Sequence, residues 1–202
     1  NMRYLKLKRI IDFLFSMICI IVLMPLFLFL IFVIKIDSKG PVLFKQMRVG
    51  VNKNTFSILK FRTMRIDAPR DTPTHLFSNS QSYITRVGKI LRRTSLDELP
   101  QLWNILIGQM SFVGPRPALW NQYDLIVERD KYGVNSIWPG LTGWAQVNGR
   151  DELSIETKAR FDGEYVKNMG LIMDLKCCFK TFKKVLKGDG FVEGHKRNLA
   201  SK

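Results

Sequence analysis

FLFSMICIIVLMPLFLFLIFVI, residues 13–34, runs for 22 positions without a charge. At a rise of ~1.5 Å per residue it matches a hydrocarbon core of about 30 Å, so length and composition make it a membrane segment. It is too long for the apolar core of a signal peptide, and no small-residue cleavage site follows it. A helix apolar on every side needs cover all round, and nothing else in the chain could supply that cover. Flanks and centre then separate crossing from dipping. Arg3, Lys6, Lys8 and Arg9 precede the run, while Lys35, Lys39, Lys45, Arg48 and Lys53 follow it, so both ends carry the basic signature of the cytoplasmic side. Near the centre Pro25 removes a helical hydrogen bond and bends the axis. A kinked helix that enters and leaves by one face satisfies both features, whereas a straight span strands one basic flank. The expectation is a re-entrant helix broken at Pro25, occupying residues 1–39 with its flanks.

Composition bounds the rest. The chain has 202 residues, with 32 Lys and Arg against 17 Asp and Glu, a formal charge of +15, and a hydrophobic content of 46% that argues against a disordered basic tail protein. Cys177 and Cys178 are adjacent and Cys19 lies inside the apolar run, so there is no disulfide framework and a reducing compartment is expected. His75 and His195 stand far apart, which argues against a histidine zinc site. Asn1, ahead of Met2, reads as an expression remnant and is set aside.

Residues 40–187 read as one body, giving an α+β, mainly helical fold class: a Pro-kinked re-entrant helix, a small β-hairpin and amphipathic interfacial helices. Strand-like stretches in 42–62 flank the turn residues Gly50-Val51-Asn52-Lys53-Asn54, with Ile58, Lys60 and Arg62 on one face and Leu59 and Phe61 on the other. Residues 67–82 read as a loop, 83–93 as a helix, and a second helix begins near Ser95. Gly114-Pro115-Arg116-Pro117 reads as rigid and extended, and 138–150 as turn-rich, with Pro139-Gly140, Gly143 and Asn148-Gly149 as breakers. Along 171–187, Leu171, Leu175, Cys178, Phe179, Phe182, Val185 and Leu186 form an apolar stripe beside Lys176, Lys180, Lys183, Lys184 and Lys187. That pattern suits a core stripe with a solvated basic face as well as a helix lying on anionic lipid; the apolar N-terminus favours lipid. Residues 188–202 read as a loose tail.

The densest polar cluster is Arg92-Arg93-Thr94-Ser95-Leu96-Asp97-Glu98-Leu99-Pro100-Gln101. A purely architectural reading exists: Ser95 and Glu98 have capping-box spacing, and Asp97 suits a helix N-terminus. Against it stand two arginines ahead of adjacent carboxylates, with Pro100 placing the helix start beside the acids. A further arginine, Arg116, is held between Pro115 and Pro117, whose restricted backbone spares entropy when an anion binds. Arginine forks match phosphate oxygens, and carboxylates hold Mg²⁺ or attack phosphorus once cations neutralise the electrophile. No Walker-type glycine loop is present, which excludes a P-loop enzyme.

At these residues the chain resembles the bacterial sugar transferases, or monotopic phosphoglycosyl transferases. The likeness rests on Lys8-Arg9-Ile10-Ile11-Asp12, the Pro-broken helix, Lys60-Phe61-Arg62-Thr63-Met64 and the run from Thr94 to Gln101. It continues through Met110-Ser111-Phe112-Val113-Gly114-Pro115-Arg116-Pro117 and Pro139-Gly140-Leu141-Thr142-Gly143-Trp144-Ala145-Gln146-Val147. The resemblance implies transfer of a sugar 1-phosphate from a UDP-sugar to polyprenyl phosphate, commonly undecaprenyl phosphate, with Mg²⁺ as cofactor. It implies a monotopic protein on the cytoplasmic face of the bacterial inner membrane, at the first membrane step of surface glycan or capsule synthesis. Under it Asp97 attacks the sugar-bearing phosphate and expels UMP, and the lipid phosphate then attacks the aspartyl sugar-phosphate. Glu98 assists Mg²⁺ binding beside Asp97 or accepts the lipid phosphate's proton, Arg116 matches the family's phosphate-binding arginine, and Arg92 and Lys60 fall at basic positions that hold phosphates. Pro117-Ala118-Leu119 followed by Asn121-Gln122-Tyr123 is similar to capsular-polysaccharide initiating transferases, implying an N-acetylated amino or deoxyamino sugar. Two departures stand out: Gln109 replaces an acidic residue, which puts an extra metal-side role there in doubt, and Trp138 replaces a basic one, which removes a candidate anion contact.

The expected partners are therefore UDP-sugar, polyprenyl phosphate and anionic membrane lipids, with no nucleic acid and with oligomerisation open. Two alternatives remain: a membrane-anchored basic module that binds anionic lipid or nucleic acid without turnover, and a glycosyl transferase that breaks the sugar–phosphate bond and releases UDP.

Overall fold

Pro25 has no N–H to offer Ile21, and the long apolar run divides at Leu23, two residues ahead of it. In the computed structural model, which describes residues 2–68, 80–149 and 152–187, helix α1 (Met2–Val22) and helix α2 (Met24–Asp37) meet at 62°. Backbone bonds from Leu23 N to Cys19 O and from Phe27 N to Leu23 O, both 2.9 Å, close the helical turns around the bend. Among the described residues no single helix is long and apolar enough to cross a membrane, whereas this bent pair passes as a unit.

The inner side of the elbow lies on the rest of the protein. Cys19, Ile20, Leu23 and Phe27 pack on a core of Phe56, Ile58, Leu102, Ile105 and Met110, and Leu30 and Ile34 are buried with Phe61 and Leu91. Its outer side is bare: Ile10, Leu14, Ile18, Ile21, Leu28, Phe29 and Phe32 are all exposed. The elbow is thus half covered, which excludes a fully buried core helix.

Two residues counted above as basic flank turn out to be internal ties. Lys8 is buried and ion-paired to Asp174, while Arg9 donates to the carbonyls of Ile105 (2.7 Å), Leu106 (3.2 Å) and Met110 (3.1 Å). Asp12 accepts from Phe112 N at 3.2 Å. One turn of α1 therefore grips three separate parts of the body.

Strands β1 (Leu43–Val49) and β2 (Thr55–Phe61) form the expected antiparallel hairpin, with Phe44 opposite Lys60, Gln46 opposite Ile58 and Arg48 opposite Phe56. The connecting turn has Asn52 and Lys53 at positive φ, which sets that register. Arg62 does not extend the Lys60 face towards the acids; its Nη2 donates to Ser38 O (2.7 Å) and Ser38 Oγ (2.8 Å), at the end of α2. Of the expected loop at 67–82, residues 69–79 lie outside the described residues, and 80–83 form a 3-10 turn. Helix α3 (Arg86–Thr94) begins three residues later than the pattern predicts, because Thr85 Oγ1 accepts from Gly88 N and caps it there. Helix α4 (Gln101–Leu106) follows the acidic pair, with Pro100 at its start.

Strand β3 (Ser111–Val113), helix α5 (Tyr123–Asp130), strand β4 (Gly140–Thr142) and helix α6 (Trp144–Val147) come next. The last two correct the reading of 138–150 as turns. Gly140 and Gly143 are there because they lie against Gly114: an added Cβ would come within 2.1 Å of Gly114 N from Gly140, and 2.0 Å of Gly114 O from Gly143. Their missing side chains let β4 pair in parallel with β3, Ser111 opposite Gly140 and Val113 opposite Thr142.

Helices α7 (Ile155–Asn168) and α8 (Leu171–Lys187) complete the described fold; the predicted tail at 188–202 and both histidines lie outside it. On α8 the stripe that packs inward is Asp174, Cys177 and Thr181, not the apolar one. Asp174 takes hydrogen bonds from Tyr4 and Tyr165 (each 2.7 Å) as well as Lys8, and Thr181 meets Thr142 at 2.6 Å. Leu171, Ile172, Leu175, Phe179 and Phe182 face outward and are more than half exposed. A core role for that stripe is overturned, since the ion-paired Asp174 occupies the side a core stripe would need.

Candidate active site

Asp97 and Glu98 sit in a 3-10 turn (Leu96–Glu98) between α3 and α4. The chain leaves α3 through Ser95 in the left-handed conformation, φ 58°, which turns the next residues back across the hairpin. In that geometry Ser95 makes no side-chain cap and Glu98 does not reach back to it, so the capping box expected from spacing does not form.

Glu98 instead meets two cations. Its Oε1 accepts from Lys60 Nζ at 2.7 Å and from Arg116 Nη2 at 2.8 Å. Burial alone would raise the Glu98 pKa, but Arg116 and Lys60 outweigh it and hold the carboxyl well below the usual range. Lys60 is pushed down by burial and by Arg116 and Arg48, against the pull of Glu98 and Asp97. Asp97 behaves oppositely: burial raises its pKa, with the Glu98 charge acting in the same sense, against Lys60, Arg92 and Arg116. Among the described residues Asp97 makes no hydrogen bond or ion pair, so its oxygens remain available within a cationic field.

The five residues singled out from sequence come together. Lys60 arrives from β2, Arg92 from α3, the acids from the turn, and Arg116 from the segment after β3. Arg92 Nε donates to Thr63 Oγ1 at 2.8 Å and lies in the field of Asp97. Pro25 stands apart, at the elbow, as a structural break. For a metal, the donors on offer are two adjacent carboxylates, and among the described residues no cluster of three acidic, histidine or cysteine side chains forms. That set fits Mg²⁺, which takes one or two protein carboxylates and completes its shell with water and substrate phosphate.

The two departures have structural partners of their own. Gln109 Oε1 accepts from Asn104 Nδ2 at 2.7 Å, and Asn104 also bonds Ser57 O (2.9 Å) and Leu59 N (3.0 Å), which fixes α4 to β2. Gln109 is a brace for the hairpin. Trp138 lines a cavity of about 450 Å³ with Leu5, Lys6, Arg9 and Ile10 of α1. Sequence reasoning missed Arg48, counted only as a flank charge. Its signal was the two-residue alternation that sets Phe44, Gln46 and Arg48 on one face, meaningful only once the register set that face beside Lys60.

A family model described as bacterial sugar transferase matches residues 3–188. The chain is 38% identical over 192 residues to the exopolysaccharide production protein ExoY of Sinorhizobium fredii, covering 88% of this chain and 84% of that one. It is 38% identical over 199 residues to the UDP-galactose-lipid carrier transferase of Erwinia amylovora, covering 91% of this chain and 41% of that one. The undecaprenyl-phosphate galactose phosphotransferase of Salmonella typhimurium is 36% identical over 199 residues, again with 91% and 41% covered.

Proposed function

The chain belongs to the bacterial sugar transferase family, and on that premise we propose that it transfers a sugar 1-phosphate from a UDP-sugar to a polyprenyl phosphate at the membrane surface. The single observation that carries the reading is the unequal pair: Glu98 held anionic by Lys60 and Arg116, and Asp97 beside it with no hydrogen-bond or ion-pair partner among the described residues. An Asp97 oxygen attacks the sugar-bearing phosphorus and forms an acyl phosphate while the phosphoanhydride bond to UMP breaks. An oxygen of the lipid phosphate then attacks the same phosphorus, the aspartyl bond breaks, and the carboxylate is regenerated with a polyprenyl diphosphate sugar as product. Two anions repel, so the step needs cations facing the phosphates, and Arg116, Lys60 and Arg92 supply them. Asp97 and Glu98 would hold Mg²⁺, which when bound neutralises diphosphate charge and helps the nucleotide leave.

The membrane reading is part of the same proposal. The elbow dips into the cytoplasmic leaflet and returns, while the outward apolar face of α8 lies in the interface with Lys183 towards anionic headgroups; Lys176 and Lys180 lie over Trp144 instead. This is supported by the 62° bend, the bare outer faces of the elbow and α8, and the flanking charges that are not internal ties, Arg3 and Lys6 ahead of the run and Lys35 and Lys39 behind it. It brings a soluble dianionic donor and a lipid phosphate to one depth. The reaction is the first membrane step in building a surface glycan such as a capsule, and the transferred sugar is an N-acetylated amino or deoxyamino sugar.

The test is incubation of the full chain with polyprenyl phosphate and a panel of UDP-sugars, including UDP-galactose and UDP-glucose. UMP release and a protein mass increase equal to one glycosyl phosphate are expected in a rapid quench without acceptor. UDP release would make it a glycosyl transferase, and preference for galactose or glucose would overturn the amino-sugar assignment. Exposure of a tag ahead of α1 to reagents outside the cell would defeat the re-entrant topology.

A further inference from the structure

We propose that Arg48 is the positioning residue of Arg116, tying the Pro115-Arg116-Pro117 segment to the hairpin so that the Arg116 guanidinium stays beside the acidic pair; this rests on the site reading above. Neither Pro115 nor Pro117 has an N–H, so the backbone at these two positions can be tied only through their carbonyls. On one side Gly140 N donates to Pro115 O at 2.8 Å. On the other, Arg48 Nη1 donates to Pro117 O at 3.1 Å, and Val49 N donates to Ala118 O at 2.9 Å. Arg48 is itself fixed, because its Nη2 donates to Gln46 Oε1 at 2.6 Å, two residues back on the same strand face.

That face also carries Lys60, opposite Phe44 in the register. One two-stranded element therefore places both cations of Glu98: Lys60 directly, and Arg116 through the Arg48 bond to the next residue's carbonyl. Arg116 is the partner that needs the help. Its side chain is 27% exposed, against 17% for Lys60 and 13% for Glu98, so packing restrains it least. A guanidinium can join two acceptors in one plane, whereas a lysine in its place keeps the charge and loses the fork.

The experiment is a double-mutant cycle on kcat/KM for UMP release by the full chain with UDP-sugar and polyprenyl phosphate. Arg48→Ala is expected to lower kcat/KM about 10²-fold, and Arg48→Lys about tenfold, as misplacement of a binding group does. In an Arg116→Ala background, removing Arg48 should cost less than about twofold, because residues that act through one another are non-additive. Losses that multiply in the double variant, or Arg48→Lys at the wild-type rate, would overturn the proposal. Thermal unfolding checks that each variant is folded, and where Arg48→Ala is not, the Arg48→Lys cycle reads the same coupling. Full turnover by Asp97→Asn would defeat the covalent mechanism instead, leaving the Arg48–Arg116 coupling measurable, so the two failures are separable.

Discussion

Two carboxylates in this protein meet arginine at similar distances and serve opposite ends. Asp162 on α7 takes both Nε (2.9 Å) and Nη2 (2.6 Å) of Arg129 on α5, and the pair is sealed, with side-chain exposures of 1% and 5%. Glu98 takes one bond each from Lys60 and Arg116 in a partly open cluster, with Asp97 next to it. In the first, one charge cancels one charge through two bonds to a single carboxylate oxygen. In the second, charges of both signs are crowded with one carboxylate unbonded among the described residues, an arrangement costly to fold around and one that the proposed function would use for an incoming phosphate. Under the function proposed above, the spare group and the opening are what distinguish the Asp97–Glu98 cluster from a strut.

Asp97→Asn should produce the largest break in that comparison. Turnover should fall on the order of a thousandfold or more, because an amide is a far poorer nucleophile, as measured by UMP release. The same change should stabilise the fold. Burial first, and the Glu98 charge after it, raise the Asp97 pKa above its unfolded value. The folded chain thus binds that proton more tightly, and ionising Asp97 costs stability as pH rises past its raised pKa. The melting temperature of Asp97→Asn at pH 7 should exceed wild type, and the gain should vanish as pH falls through the ordinary carboxylate range. For the same reason wild-type kcat/KM should lose activity on the acid side at a pH above that of an ordinary aspartate.

Arg116→Ala comes next, with about 10²–10³-fold lower kcat/KM and a fold left intact, comparable to removal of one transition-state donor. Arg129→Leu should do the reverse: about 3–5 kcal/mol lost in denaturant unfolding, because Asp162 is left buried and unpaired, with activity per folded molecule unchanged. Activity loss in Arg129→Leu at full stability would erase the distinction drawn above. The smallest stability effect is expected on α8, where Phe179→Ser with Phe182→Ser should stay within about 0.5 kcal/mol of wild type at each exposed site. Their readout is lipid: retention on vesicles containing anionic phospholipid should fall, and unchanged retention would remove α8 from the membrane surface.

Much of this was legible residue by residue. The 22-residue apolar run, Pro25 and the hairpin follow from period, length and the geometry of proline, and Arg92, Asp97, Glu98 and Arg116 could be picked as chemically able, whereas Lys60 entered only through the family resemblance. Their assembly was not legible, because Lys60 and Glu98 are 38 residues apart and no local rule brings them to 2.7 Å. The errors share one cause. Ser95 and Glu98 match a capping box in spacing, yet a left-handed Ser95 redirects the turn. Gly140 and Gly143 read as breakers, yet they are small so that Gly114 can lie against them. Lys8 and Arg9 read as surface charge, yet their partners are supplied by α8 and α4.

What the amino-acid order determined alone is what depends on neighbours in the chain: where apolar residues run unbroken, where proline forbids a hydrogen bond, and which groups can hold phosphate. Tertiary structure alone decided which stripe of α8 faces out, which of two adjacent acids is bound by cations, and which arginine braces which. Those outcomes turn on burial and charge from distant segments, and a carboxylate's protonation and availability are properties of its surroundings, not of its place in the sequence.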